Sequence, residues 1–212
     1  MGHAPAGVRM NRDEAFEALE YLRRVVKETR DDSALQNWGV IWMIHAFTNG
    51  AGFMLTGWML DHGRRTPPPY IALWSGILAV NLGSIALLRR RRAGARTFVE
   101  TQLWAIWSAF VAAVAVSAFL NYLLGLDRIF LGPVIAVLAA VAFASMGSLM
   151  GSQWYGAAVL FLAAAFVMTL LPAWQFYILG VVWLVTKLTV GWLLDRSRRQ
   201  HAAIDAARPR VV

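Results

Sequence analysis

The sequence predicts an all-α, polytopic transmembrane helix bundle with six spans and both termini cytosolic. Three observations carry this expectation: long apolar runs without charge, arginines gathered at alternate ends of those runs, and a shortage of charged residues. Of 212 residues, 58% are hydrophobic and 15% are charged. A soluble domain carries about 25% charged residues, so this chain lacks the groups that keep a surface in water.

A helix needs about 20 mostly apolar residues to cross the hydrocarbon core. Six such runs are present: Trp38 to Leu60, Pro69 to Leu88, Leu103 to Leu124, Ile129 to Met150, Trp154 to Leu171, and Ala173 to Leu194. The first five contain no Asp, Glu, Lys or Arg, and the sixth contains Lys187 alone. Apolar residues do not alternate at period two, and the runs are too long for barrel strands. The last four runs are separated by tight turns at Gly125 to Arg128, Gly151 to Gln153 and Pro172. The fifth is the shortest, which leaves a re-entrant pair as the alternative for the fifth and sixth.

Orientation follows from the basic residues. With the N-terminus inside, the inner segments hold Arg9, Arg12, Arg23, Arg24, Lys27 and Arg30, then Arg89 to Arg92 and Arg96, then Arg196, Arg198, Arg199, Arg208 and Arg210. The outer loops hold only Arg64, Arg65 and Arg128. The positive-inside rule therefore puts both termini in the cytosol. The net charge of +8 is accounted for by topology. Arg89, Arg90, Arg91, Arg92 and Arg196 become candidate contacts for anionic headgroups on the inner face, and nucleic acid is not expected as a partner. Most tryptophans and tyrosines fall near the two boundaries, as amphipathic rings prefer; Trp183 is the exception, well inside the sixth span.

Residues 1–35 contain no apolar segment of signal-peptide type. Asn11 to Arg30 reads as a cytosolic amphipathic helix, with Asn11 and Glu14 at capping-box spacing. Ala15, Ala18, Leu19, Leu22, Val25 and Val26 form one face. Acids come early and bases late, as the helix dipole favours. This helix either lies on the inner leaflet or under the bundle, or presents Leu19, Leu22 and Val26 to a cytosolic or membrane protein partner. Residues 36–195 form the transmembrane domain. Residues 196–212 form a basic cytosolic tail, expected to lose order beyond Ala203.

Small residues recur at packing distance: Ala72, Gly76, Ala79 and Gly83 in the second span, several alanines in the third and fourth, and Gly147-x-x-x-Gly151. They predict a tight bundle, with a homo-oligomer as a further possibility. Polar groups at membrane depth are costly and often functional. The candidates are His45, Asn49, Asn81 and Lys187. Asn49 falls near the middle of its span; the other three fall roughly 4 to 6 Å to the cytosolic side of theirs, at the helical rise. If their helices face one another, a small polar cavity open to the inside results. The plain readings are that Lys187 snorkels to the headgroups and that His45, Asn49 and Asn81 make interhelical hydrogen bonds. GVIW and GWMLD in the first span echo GVVW and GWLLD in the sixth. Their internal spacings differ by seven residues, so a repeat is not expected.

The absent chemistries narrow the function. There are no cysteines, hence no disulfide, thiolate site or Cys nucleophile. The spans offer no second histidine for haem, no metal-ligand set, no paired Asp and no buried carboxylate for ion coupling. No cofactor is expected and an enzyme is disfavoured.

The stretch Glu17 to Met43, EALEYLRRVVKETRDDSALQNWGVIWM, resembles the start of a group of uncharacterised bacterial six-helix integral membrane proteins with a charged cytosolic N-terminal helix. In that group a similar A-L-E-x-[IL]-R-R core leads through a short connector into W-G and the first span. The resemblance implies a bacterial cytoplasmic (inner) membrane location and no catalytic residue. The leading expectation is a non-enzymatic accessory or regulatory membrane subunit that binds a partner protein or lipid. The alternative is a small solute transporter or channel with its site at His45, Asn81 and Lys187.

Overall fold

The computed structural model describes residues 16, 17, 19–21, 38–64, 66–89, 98–125 and 131–207. Among them there is no strand. Six long helices follow in order: α1 Trp38–Asp61, α2 Pro67–Arg89, α3 Phe98–Leu123, α4 Leu131–Met150, α5 Gln153–Leu170 and α6 Gln175–Ala207, with a 3-10 turn at Pro172–Trp174 between the last two. Each carries most or all of one of the six apolar runs. Five of them, α2 to α6, are long and apolar enough to cross a membrane. α1 has the length: its 24 residues reach roughly 36 Å at the helical rise, against a hydrocarbon core of about 30 Å. It is less apolar because it carries His45, Thr48, Asn49, Thr56 and four glycines.

That composition suits the place α1 takes. It is the inner helix, with Ile41, Trp42, Ala46, Asn49, Phe53 and Thr56 all buried, and its main partner is α6. The two run antiparallel and approach through glycines. A Cβ built on Gly39 would lie 2.6 Å from the Gly191 carbonyl oxygen, and one on Gly180 would lie 2.9 Å from the Gly50 carbonyl oxygen. Removing side chains at such crossings lets backbones pack directly, which is how helices associate where water supplies no driving force. The start of α1 and the Gly191–Asp195 region of α6 consequently sit at the same end of the bundle.

α4 and α5 form the second tight pair. Ala136, Ala139 and Ala140 of α4 and Ala158, Ala164 and Ala165 of α5 are buried around Phe143 and Phe161. The turn between them places Gly151 at φ 123°, a conformation that only glycine adopts without strain. At the opposite end Gln175 opens α6, and its Oε1 accepts the Gly132 backbone N–H at 3.0 Å. That N–H is one of the first-turn donors of α4 that no carbonyl of its own helix can reach.

α2 and α3 are peripheral. Only 6% of the apolar window of each is buried, against 33 to 44% for α4, α5 and α6. α2 leans on α1 and α3 on α4. Two expectations change here. The small-residue stripe of α2 does not mediate packing within the bundle: Ala72 and Ala79 are exposed, and nothing lies within 4 Å of a Cβ on Gly76 or Gly83. Periodicity located the stripe but not the direction it faces, because in lipid both faces of a helix are apolar. Second, α6 continues beyond Ala203, to Ala207, and the residues after it lie outside those described. The Asp195–Arg199 ion pair, at 2.7 Å and i,i+4 spacing, and the alanines of HAAIDAA favour helix there.

Candidate intramembrane site

Lys187 is the only charged residue the sequence places inside a span, and it does not snorkel. It is 3% exposed. Its ammonium sits over three indole rings: 4.1 Å from the centroid of Trp107 on α3, 4.7 Å from Trp42 on α1 and 4.8 Å from Trp183 on α6. Among the described residues it forms no ion pair. The negative faces of the rings take the place of a counterion. Each such contact is worth about 2 kcal/mol when desolvated, so three of them offset a large part of the several kcal/mol that burying an ion costs.

Sequence and packing together build the cage. Trp183 precedes Lys187 by one turn of α6, so the lysine stem folds back across its own helix toward that ring. Trp42 reaches the same point from α1 because the glycine contacts hold α1 and α6 close. The rings brace one another: Trp107 meets Trp42 edge-on at 5.7 Å and Trp183 at 6.3 Å, and Phe110 and Phe161 close on Trp183 at 5.6 and 5.5 Å. Trp183, the outlier from the boundary pattern, is therefore a core residue around which three other helices pack.

The other three candidates meet at the seam of α1 with α2. Asn81 is the hub. Its backbone carbonyl accepts from His45 Nε2 at 3.4 Å and from Ser84 Oγ at 2.8 Å. Its side-chain oxygen accepts from Thr48 Oγ1 at 2.6 Å, and its amide nitrogen donates to Asn49 Oδ1 at 2.9 Å. A carbonyl can only accept, so His45 carries its proton on Nε2. Further along the seam Trp74 Nε1 donates to Thr56 Oγ1 at 3.2 Å.

The four candidates thus form two adjoining groups. His45, Asn49 and Asn81 are joined by hydrogen bonds, while Lys187 lies in the cage. The expected cavity is replaced by side chains. One hollow in the structure, of about 10 Å³, lies between Gly57, Asp61 and the Pro172–Phe176 turn; another, of about 460 Å³, opens beside Trp192, Asp195, Arg196 and Arg199. Neither touches this level. Aromatic rings fill the space that depth alone suggested would be open.

Elsewhere, Arg196 is exposed and its guanidinium stacks on Trp192 at 5.2 Å. Arg89 ends α2, and Arg90, Arg91 and Arg92 lie outside the described residues. Of the docking face, Leu19 is exposed, as are Phe16 and Tyr21; Leu22 and Val26 lie outside the described residues. The described part of this helix therefore does not pack under the bundle.

Of the cage tryptophans, the sequence singled out Trp183 alone, as the exception to the boundary pattern, yet a signal for Trp42 exists. GVIWMIHAFTNG, residues 39–50, and GVVWLVTKLTVG, residues 180–191, align without a gap from Gly to Gly. In that register Trp42 matches Trp183, Thr48 matches Thr189, and Lys187 takes the place of Ala46. The contacts obey it as well: Gly39 meets Gly191 and Asp195, and their counterparts Gly180, Gly50 and Met54 meet in the same way. α1 and α6 are a local two-fold pair, and both tryptophans of the shared motif face the lysine. The GWMLD and GWLLD segments lie out of this register and obscure it. No family model matches the chain, and neither a curated protein nor a solved structure matches it.

Proposed function

We propose that the chain is a six-span protein of the bacterial cytoplasmic membrane, with both termini in the cytosol, that binds a small solute at Lys187 and passes it across the bilayer. One observation carries the reading: a lysine at membrane depth that neither snorkels nor pairs with a carboxylate, held by aromatic rings from three helices. Ionisable groups at such depth mark substrate or ion pathways. A bundle that needed only stability gains nothing from this lysine, since an apolar side chain of similar volume avoids the desolvation cost. The sixth span in this reading is α1, whose polar residues face α2 and α6 rather than lipid. The antiparallel α1–α6 pair accords with an even number of crossings. Arg196, stacked on Trp192, and the arginines that follow α2 would hold the inner face against anionic headgroups.

Swelling of reconstituted vesicles tests this reading. Stopped-flow light scattering follows it as a panel of small neutral and charged solutes enters. At least one solute should enter faster than into empty vesicles, and Lys187→Met should remove the difference. Equal swelling for every solute defeats the reading.

A second reading is favoured by a separate observation, the exposed Phe16, Leu19 and Tyr21. Apolar residues on a cytosolic helix need a cover, and a partner protein would make the chain an accessory or regulatory subunit. Stoichiometric copurification of one partner, lost with Leu19→Asp, would favour it.

A further inference from the structure

We propose that the Lys187 centre takes a compact monoanion, of the size of a halide or a one- or two-carbon carboxylate. This rests on the reading of the centre as a solute site and names the class of solute.

Among the described residues around Lys187, unpaired donors outnumber unpaired acceptors, the Thr186 hydroxyl being able to serve as either. The indole N–H groups of Trp107, Trp154 and Trp183 are buried without a hydrogen-bond partner, as is the Thr186 hydroxyl next to the lysine. Trp154 belongs to the same cluster, its ring 5.2 Å from that of Trp42. Indole and ammonium groups can only donate. The nearby acceptors on the α1–α2 seam are already engaged: Asn81 by His45, Ser84 and Thr48, and Asn49 by Asn81. Buried polar groups in native interiors are almost always paired, so several unpaired donors in one aromatic cluster indicate a missing acceptor.

Charge selects among acceptors. The cage faces the ammonium with π-density but supplies no negative charge. A neutral carbonyl would satisfy N–H groups and leave the charge uncompensated. A dianion would bring one charge too many into a low-dielectric interior. A cation would meet repulsion from the ammonium. A compact monoanion supplies both the acceptor and the charge.

The cage is filled by the ammonium, so entry requires the flexible Lys187 stem to swing off the rings toward the ion. α3, which brings Trp107 to the cage, is one of the two least buried helices. Binding therefore alters the surroundings of Trp107 and Trp183, which makes tryptophan fluorescence a direct readout.

The test uses the full chain in lipid nanodiscs, with chloride or formate replacing gluconate at constant ionic strength. Tryptophan emission should change saturably with chloride or formate, and the thermal midpoint should rise by several degrees at saturation. Lys187→Met should abolish both responses, and Lys187→Arg should keep them with a shifted half-saturation. Trp183→Phe and Trp107→Phe keep a ring and remove one donor, so each should raise the half-saturation concentration severalfold; they test the proposal if Lys187→Met does not fold. A response to chloride but not formate identifies an inorganic ion, and the reverse a carboxylate; either supports the proposal. No saturable response in folded wild-type protein overturns it, as does a response unchanged in all four variants. Solute entry into vesicles without an anion response would refute this inference alone. An anion response without entry would refute only the passage of solute.

Discussion

Alanine in place of Gly39 probes the closest approach in the fold. Its Cβ would lie 2.6 Å from the Gly191 carbonyl oxygen and 2.9 Å from the Asp195 nitrogen, where ordinary contact begins at 3.4 Å. Both obstacles are backbone, so no rotamer change relieves them, and α1 and α6 must part by most of an ångström at this crossing. Overpacking of this kind costs about 1 to 3 kcal/mol. For a chain of this size that corresponds to a fall in thermal midpoint of roughly 2 to 12 °C. Gly191→Ala strikes the same gap from the other side, 2.7 Å from the Gly39 carbonyl oxygen, and should cost a similar amount. The double variant should cost clearly less than the sum, because the first alanine has already opened the gap that the second needs. Gly76→Ala and Gly83→Ala are the controls: nothing lies near either Cβ, and the gain in helix propensity is at most about 1 kcal/mol. Thermal unfolding in one detergent, followed by circular dichroism, measures all five. Gly39→Ala and Gly76→Ala with the same midpoint would refute the glycine-mediated crossing.

The cage, seam and topology give three more predictions. Trp107→Leu should destabilise wild-type protein more than it destabilises a Lys187→Met background, with a coupling of about 1 to 2 kcal/mol in a double-mutant cycle of unfolding; zero coupling would mean that the ring does not hold the ammonium. Asn81→Leu removes the hub of the α1–α2 seam and should cost about 1 to 2 kcal/mol while leaving α4–α5 intact, checked by hydrogen exchange confined to α1 and α2. Single cysteines placed between Asp61 and Pro68 should be labelled from outside cells, and those between Arg89 and Arg96 only after permeabilisation; the opposite pattern reverses the orientation.

Much of this architecture was legible because a membrane span is a one-dimensional signal. The apolar runs from Trp38 to Leu194 each became one helix, and depth counting placed His45, Asn81 and Lys187 in the interior. What counting residues does not give is azimuth. A soluble helix marks its buried side with apolar residues, but α2 is apolar all round, so nothing in its pattern revealed that Gly76 and Gly83 face outward. The same loss hid the cage. Trp42, Trp107 and Trp183 sit on three helices, and only the α1–α6 crossing and the fit of α3 against α4 bring them to one lysine. The crossing itself was written in the equal Gly39–Gly50 and Gly180–Gly191 intervals, which become meaningful once the antiparallel pairing is known. The solvent is missing from the signal too: depth marks where polar groups collect, and only the packed rings decide whether that level is hollow.

The central claim is that position 187 lies on a path open to a water-borne solute. The chain has no cysteine, so Lys187→Cys in sealed vesicles carries a single reactive thiol. Its rate of modification by a small, charged, membrane-impermeant methanethiosulfonate is the measurement. Reaction of the thiol from the aqueous phase, in the sealed and folded state, is the expected result. A thiol that stays unmodified from both sides of the membrane, yet reacts once the protein is unfolded, would show a sealed structural core and contradict the account.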